Sequence, residues 1–169
     1  MEIINADISD FNLIFSEIEK SFIPDERRDR DDALRLFLDK KYEILRFYVD
    51  GIEVGFITAW HLSDFVFFEH FVIYEKYRNQ GYGAMALAAL KNRFERMVLE
   101  AETPDTPIAK RRMNFYKRNG FTPSEHPYMQ PAYRKNSSPV PLVIMSYPPL
   151  TNGFDNVVSN IYKEVYSIK

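Results

Sequence analysis

The chain has no cysteine among its 169 residues. That absence excludes disulfides, thiolate metal sites and a cysteine nucleophile together. Positive charge is not in surplus either: 22 Lys and Arg stand against 24 Asp and Glu, so a general nucleic-acid role lacks its electrostatic footprint. The run Lys110-Arg111-Arg112 lies in a helical pattern, where a solvated helix face accounts for it. No apolar run is long enough to span a membrane, and Met1 to Asp7 has neither a basic n-region nor an apolar h-region. A cytoplasmic protein without membrane attachment is the expectation. His61, His70 and His126 are too scattered, and too poorly matched with carboxylates at ligand spacing, for a metal site.

What the chain does have is aromatic residues, 14 Phe and 11 Tyr, and a length that suits one domain over residues 1–169. Ile3 to Ala6 reads as a strand, and Ser9 is placed to cap a helix with apolar positions Phe11, Ile14, Phe15, Ile18 and Phe22. Asp25 to Asp32 reads as a solvated connection, followed by a short helix over Ala33 to Leu38. Tyr42 to Val49, Asp50-Gly51, and Ile52 to Trp60 form a hairpin pattern, and Phe65 to Tyr74 continues as a strand of β-branched and aromatic residues interrupted by Glu69 and His70. A helix over Ala84 to Phe94 and a strand over Met97 to Glu102 complete a βαβ unit with parallel strands. Thr106-Pro107 begins another helix and Asn119-Gly120 closes it. Strands near Phe121 to Tyr128 and Val140 to Tyr147 flank a Pro, Ser and Asn-rich loop. Helical spacing then returns at Phe154, Val157, Val158, Ile161, Tyr162 and Val165, predicting a helix over about 153–167 packed on the core.

Between the third long strand and the following helix stands Tyr77-Arg78-Asn79-Gln80-Gly81-Tyr82-Gly83-Ala84. Two spaced glycines let the backbone turn tightly, and a helix that starts there offers unpaired N–H donors and a positive dipole end. Arg78 adds a guanidinium fork on the same side. The segment is shaped for a pyrophosphate, although a plain strand-to-helix turn carries glycines too.

The order of elements and two separated motifs together resemble the GNAT superfamily of N-acetyltransferases. Phe71-Val72-Ile73-Tyr74-Glu75-Lys76-Tyr77-Arg78-Asn79-Gln80-Gly81-Tyr82-Gly83 is similar to the family's strand followed by R-x-x-G-x-G/A. Phe115-Tyr116-Lys117-Arg118-Asn119-Gly120-Phe121 is similar to its helix end F-Y-x-x-x-G-F. Glu75 replaces a frequent proline, and Ala109 replaces a frequent asparagine seven residues before the tyrosine. The resemblance implies an α/β (α+β) fold: a mixed, mostly antiparallel twisted sheet with a central splayed parallel strand pair and helices on both faces, here with an extra C-terminal helix. It also implies acetyl-CoA as co-substrate. The pantetheine arm would pair with backbone at Phe71, Val72 and Ile73, and Arg78, Asn79, Gln80, Gly81, Tyr82, Gly83 and Ala84 would cradle the pyrophosphate.

Acetyl transfer to an amine needs a neutral nitrogen and a proton for the departing thiolate. Tyr116, placed like the family's tyrosine, is the candidate acid; its alternative is core packing. Glu69 interrupts an apolar strand and, by strict alternation, shares the face of Phe71 and Ile73, with His70 opposite. Among Phe67, Phe68 and Phe71 its pKa is expected to rise, which suits a base; an edge salt bridge is the alternative. Glu100 and Glu102 alternate onto one face of the next strand. There they either form an acidic wall with Glu69 or pair with Arg111 and Arg112. Tyr128, Tyr133 and Tyr147, with neighbouring prolines, fall where family members vary their acceptor site; ordinary loop packing is the alternative.

The expected function is transfer of acetyl from acetyl-CoA to a small cationic primary amine by direct attack, without metal, nucleic acid or membrane. A protein N-terminus or lysine is the alternative acceptor, and a non-catalytic acyl-CoA-binding regulatory module the alternative role. The apolar tail helix and exposed aromatics allow a homodimer.

Overall fold

Asp7 rather than Ser9 opens the first helical segment in the computed structural model, which describes residues 1–134 and 138–167. Its carboxylate accepts the Ser9 N–H at 2.9 Å while Asp10 accepts the Asp7 N–H at 2.9 Å, a reciprocal box that satisfies two otherwise open donors. The aspartate wins because it stands before the turn, whereas Ser9 is already inside it. Strand β1 (Glu2–Asn5) precedes this turn, and helices α1 (Phe11–Ser21) and α2 (Arg30–Leu36) follow. α2 begins three residues earlier than expected, since Asp31 and Asp32 suit the first turn of a helix.

Asp50 and Gly51 both take positive φ, 51° and 76°, and join β2 (Tyr42–Val49) to β3 (Ile52–His61) in a two-residue hairpin. β4 (Val66–Ile73) follows antiparallel, then α3 (Tyr82–Lys91), β5 (Met97–Glu102) and α4 (Pro107–Arg118). The expected strand at Phe121 to Tyr128 is two short pieces, β6 (Thr122–Pro123) and β7 (Tyr128–Gln130), broken between them at Ser124 to Pro127. Both pair with β8 (Val140–Tyr147), and α5 (Phe154–Glu164) closes the chain.

The sheet runs β1-β2-β3-β4-β5-β8-β6, with β7 also on β8. All neighbours are antiparallel except β4 and β5. One face packs under α3 and α4, with Leu87, Leu90 and Met113 against Leu45, Phe47, Ile57, Phe68 and Met145. The other face receives α1 through Ile14 and Ile18, and α5 through Val157 and Ile161. The tail helix therefore packs on the core as its apolar spacing predicted. At Gly55 the neighbouring strands β3 and β4 approach so closely that a Cβ would lie 2.1 Å from the Val72 carbonyl oxygen.

One irregularity decides the site. Ala59 pairs with Phe68 and Thr58 with His70, so Glu69 is an extra residue in β4, a bulge. A bulge breaks the period of two. Glu69 therefore reaches Trp60 and His70 reaches Thr58, both on the α1 and α5 side, whereas Phe71 packs against Phe47 and Phe115 on the other side. Strict alternation, which paired Glu69 with Phe71 and Ile73 and opposed it to His70, fails at this position.

Candidate active site

β4 and β5 pair only at Val66 to Phe68 with Met97 to Leu99. Beyond that point the strands splay, and the β5-facing backbone of β4 has no strand partner. At the open end the chain turns at Asn79 (φ 61°) and Gly81 (φ 85°) into α3, whose first N–H groups point out of the helix. Gly81 caps that helix in a left-handed conformation that a side chain disfavours. Gly83 serves a different need: a Cβ there would come within 3.1 Å of the Phe115 ring. Arg78 donates from Nε to the Ile73 carbonyl at 3.0 Å, which ties its guanidinium to the mouth of the splay.

A groove of about 900 Å³ begins at this turn and runs between the strands. Phe71, Val72, Ile73, Arg78, Asn79, Gly81, Tyr82, Gly83 and Ala84 line it, together with the cations Lys20, Arg111, Arg112 and Arg118. Gln80 does not; its amide is held on the Lys76 carbonyl at 2.8 Å. Val72 turns its side chain into the α1 cluster, so what it offers there is backbone. Open backbone, helix N-terminal donors and nearby cations fit an extended ligand that carries a pyrophosphate within it, as acetyl-CoA does.

Tyr116 also lines the groove. It lies in the last turn of α4, where Thr106 caps the start at 3.1 Å and Gly120 (φ 82°) the end, with the Phe121 N–H donating to the Tyr116 carbonyl at 3.0 Å. The ring is 7% exposed, and burial pushes its phenol up to about 12. Such a phenol keeps its proton across the neutral range and is available as a donor.

The far end holds the carboxylates. Glu69 is 1% exposed and paired with Arg28 at 3.1 Å; it also accepts from Trp60 Nε1 at 2.9 Å and from the Tyr133 hydroxyl at 2.8 Å. Burial acts to raise its pKa, but Arg28, the electrostatic effect of His70 and the two donors outweigh burial, and the carboxyl lies below its ordinary value. The expected rise is therefore reversed, because a cation from a distant segment sits against it. That cation was misjudged too: Arg28 belongs to the charged stretch expected to be solvated, yet it is half-buried over the Trp60 and Tyr133 rings and donates to the Val165 carbonyl at 2.7 Å.

Glu100 has no such cation. It accepts from the Tyr128 hydroxyl and from the Tyr166 hydroxyl at 2.8 Å, and burial raises it to about 7 despite those donors. Glu102 pairs with Arg112 at 2.6 Å, one of the two alternatives for that strand, and Glu100 takes neither arginine. Tyr133 lines the groove with Glu69, Glu100 and Glu102, while Tyr128 stands behind Glu100. Tyr147 is elsewhere, against Phe121 and Lys91.

His70 is buried and its pKa lowered by that burial; Thr58 and the Glu26 carbonyl hold it in place. Among the described residues no group of His, Asp and Glu could hold a metal ion, and no helix is long and apolar enough to cross a membrane. Sequence reasoning missed Arg28, Trp60 and Tyr166. Only Trp60, two residues from Thr58 on a strand facing β4, carried a local signal for its place.

A splayed parallel pair, a glycine turn opening a helix and a tyrosine at the end of the next helix are the arrangement that the resemblance to the GNAT acetyltransferases implies. The sequence model of the acetyltransferase (GNAT) domain matches residues 40–123. A GNAT-family protein from Bacteroides thetaiotaomicron is 30% identical, with 100% of each chain covered and a TM-score of 0.93. The chain belongs to the GNAT family of acetyltransferases and is an acyltransferase. The fold is shared with a spermidine N-acetyltransferase from Vibrio cholerae, at 12% identity, TM-score 0.65, and 86% and 94% coverage of the two chains. It is also shared with the ribosomal-protein-S18-alanine N-acetyltransferase from Escherichia coli, at 14% identity, TM-score 0.60, and 86% and 91% coverage. No curated protein sequence matches the chain.

Proposed function

We propose that this acetyltransferase transfers the acetyl group of acetyl-CoA to a small primary amine by direct attack. The observation that carries the reading is one groove lined by the first turn of α3, by Tyr116 and by Glu69 and Glu100. Bound acetyl-CoA supplies an acyl carbon already activated as a thioester. Arg78 and the backbone from Gly81 to Ala84 hold the pyrophosphate, and the open edge of β4 at Phe71 to Ile73 aligns the pantetheine arm. Tyr116 donates a hydrogen bond to the departing sulfur and passes on its proton as the amine nitrogen loses one. Glu69, kept ionised by Arg28, supplies fixed negative charge near the entering amine. Holding both reactants in one groove provides much of the acceleration.

The depth of the acidic end supports a small amine over a polypeptide, since the carboxylates lie beneath Arg28, Tyr133 and Tyr166. A cytoplasmic setting, where acetyl-CoA is at hand, agrees with the reading. Titration calorimetry with acetyl-CoA tests it, joined to CoA release with a panel of amines. Micromolar binding, weakened about tenfold by Arg78→Ala and indifferent to ATP, with release dependent on an amine, is expected. Absence of acetyl-CoA binding would overturn it.

A further inference from the structure

Glu26, Glu69, Glu100 and Glu102 all line the groove, and the surroundings of Glu69 and Glu100 differ in kind. Every oxygen of Glu69 is engaged: Oε1 by Arg28 and Tyr133, Oε2 by Trp60. A carboxylate held this way by a guanidinium and two further donors is a poor proton acceptor. Glu100 meets only two neutral hydroxyls, Tyr128 on Oε1 and Tyr166 on Oε2. It is only half-buried and lines the same groove as Tyr116.

Taking the acetyltransferase reading as the starting point, we propose that Glu100 is the group that removes the proton from the acceptor ammonium, and that Tyr166, just past the end of α5, is a positioning residue that holds it ready. Glu100 as carboxylate takes one proton from R–NH3⁺, leaving the neutral amine. The nitrogen lone pair forms the C–N bond to the acyl carbon and the C–S bond breaks. The second proton lost by nitrogen replaces the one Tyr116 gives to sulfur, and Glu100 returns its proton to water. The products are the amide, the CoA thiol and one released proton, so atoms and charge balance.

The groups around Glu100 are consistent with this division of labour. Tyr128 from β7, Tyr133 from the following loop, Tyr162 of α5 and Tyr166 beyond it face it with neutral phenols, Glu69 of β4 faces it as an anion, and Arg28 from the segment before α2 is the facing cation. Burial raises the carboxyl to about 7, the two hydroxyls lower it, Glu69 raises it and Arg28 lowers it. A base near neutrality combines a useful ionised fraction with the drive to accept a proton. Tyr166 also ties the site to the tail, because Arg28 bonds to the carbonyl of the preceding residue, Val165.

The test compares wild type with Glu100→Gln and Tyr166→Phe after an amine has been found that supports CoA release. Wild type should show an ascending limb in kcat/KM near pH 7. Glu100→Gln should lose that limb and at least about a hundredfold in kcat while binding acetyl-CoA as wild type does. Tyr166→Phe removes a donor to the carboxylate, so its limb should move to higher pH. Infrared difference spectra should show one carboxyl group titrating near pH 7 in wild type, higher in Tyr166→Phe and absent in Glu100→Gln. A Glu100→Gln enzyme within threefold of wild type and with the limb intact overturns the proposal and leaves the acetyltransferase reading standing. A wild type that binds acetyl-CoA but acetylates no amine overturns both. Should Glu100→Gln not fold, the infrared titration of wild type and Tyr166→Phe decides, and absence of a carboxyl titrating near neutrality overturns the proposal.

Discussion

The two ends of the groove are built from different materials. At the glycine turn the working parts are backbone, held by conformations at Asn79 and Gly81 and by the first turn of α3, all within a few residues of one another. At the acidic end they are side chains drawn from six separate segments, with Arg28, Trp60, Glu69, Glu100, Tyr128 and Tyr166 meeting across the sheet. A backbone site tolerates changes that keep φ and ψ, whereas a buried side-chain network is sensitive to any change that leaves a charge unpaired. The expected costs of mutation follow that division.

The largest effect belongs to Arg28→Met. It leaves Glu69 buried at 1% exposure without its cation, and breaking a buried pair on one side costs about 3–5 kcal/mol. Urea denaturation should show that loss at neutral pH, and the double variant Arg28→Met, Glu69→Leu should recover much of it. The paired carboxyl has a folded pKa below its ordinary 4.5, so its stabilising contribution is present above that value and fades as pH falls through the folded pKa. In Arg28→Met the contribution is gone, and the difference between the two proteins should narrow as the solution is acidified. An unchanged denaturation midpoint would mean that the network is not held by this pair.

At the other end Gly81→Ala places a side chain at φ 85°, a strain of about 1–2 kcal/mol. Relaxing that strain turns the first N–H groups of α3 away from the groove. Acetyl-CoA affinity should fall by about tenfold in calorimetry, while a carboxyl titrating near neutrality at the far end stays where it was. Equal damage at both ends would show that they are one cooperative unit rather than two.

The same division explains what could be read from the chain alone. Asp50-Gly51, Thr106-Pro107, Asn119-Gly120 and the glycine turn each act on the residues beside them, so the hairpin, the caps and the turn into α3 were legible in the sequence. The bulge at Glu69 was not, because it comes from how β4 meets β3 at Thr58 and Ala59 rather than from anything in Phe68-Glu69-His70. One inserted residue moved Glu69 off the face of Phe71 and onto that of His70, while His70 stayed opposite Phe71 as expected. Arg28 hid in a stretch whose charges looked solvated, and only the tertiary contacts with Glu69 and Val165 distinguish it from Arg30 or Arg35. Glu102 could be matched with Arg112 from sequence because adjoining elements carry both.

A smaller effect, and one of opposite sign to the first, is expected from Glu100→Gln on stability. The folded pKa of about 7 exceeds the ordinary 4.5, so the native state holds a proton that the unfolded chain has released between those values. Relative to an uncharged side chain, stability is unaffected below about pH 4.5 and is lost as pH rises toward 7. Glu100→Gln should therefore match wild type in thermal melts near pH 4.5 and exceed it at pH 8. A variant less stable than wild type at pH 8 would place the value of the two tyrosine hydrogen bonds above the cost of burying the charge.

The smallest effect sharpens the contrast most. Glu102 and Arg112 approach to 2.6 Å, closer than the 3.1 Å of Glu69 and Arg28, so distance alone would make theirs the stronger pair. Their side chains are 37% and 44% exposed, however, and water screens such a pair to about 0–1 kcal/mol. Arg112→Gln should shift the urea midpoint by no more than that, and the shift should shrink further as salt is raised. The Arg28→Met loss should persist in the same salt, because the charge it exposes to repulsion and desolvation lies out of reach of mobile ions. If both losses were screened alike, burial would not be what separates the two pairs, and Glu69 would have to be treated as a surface carboxylate.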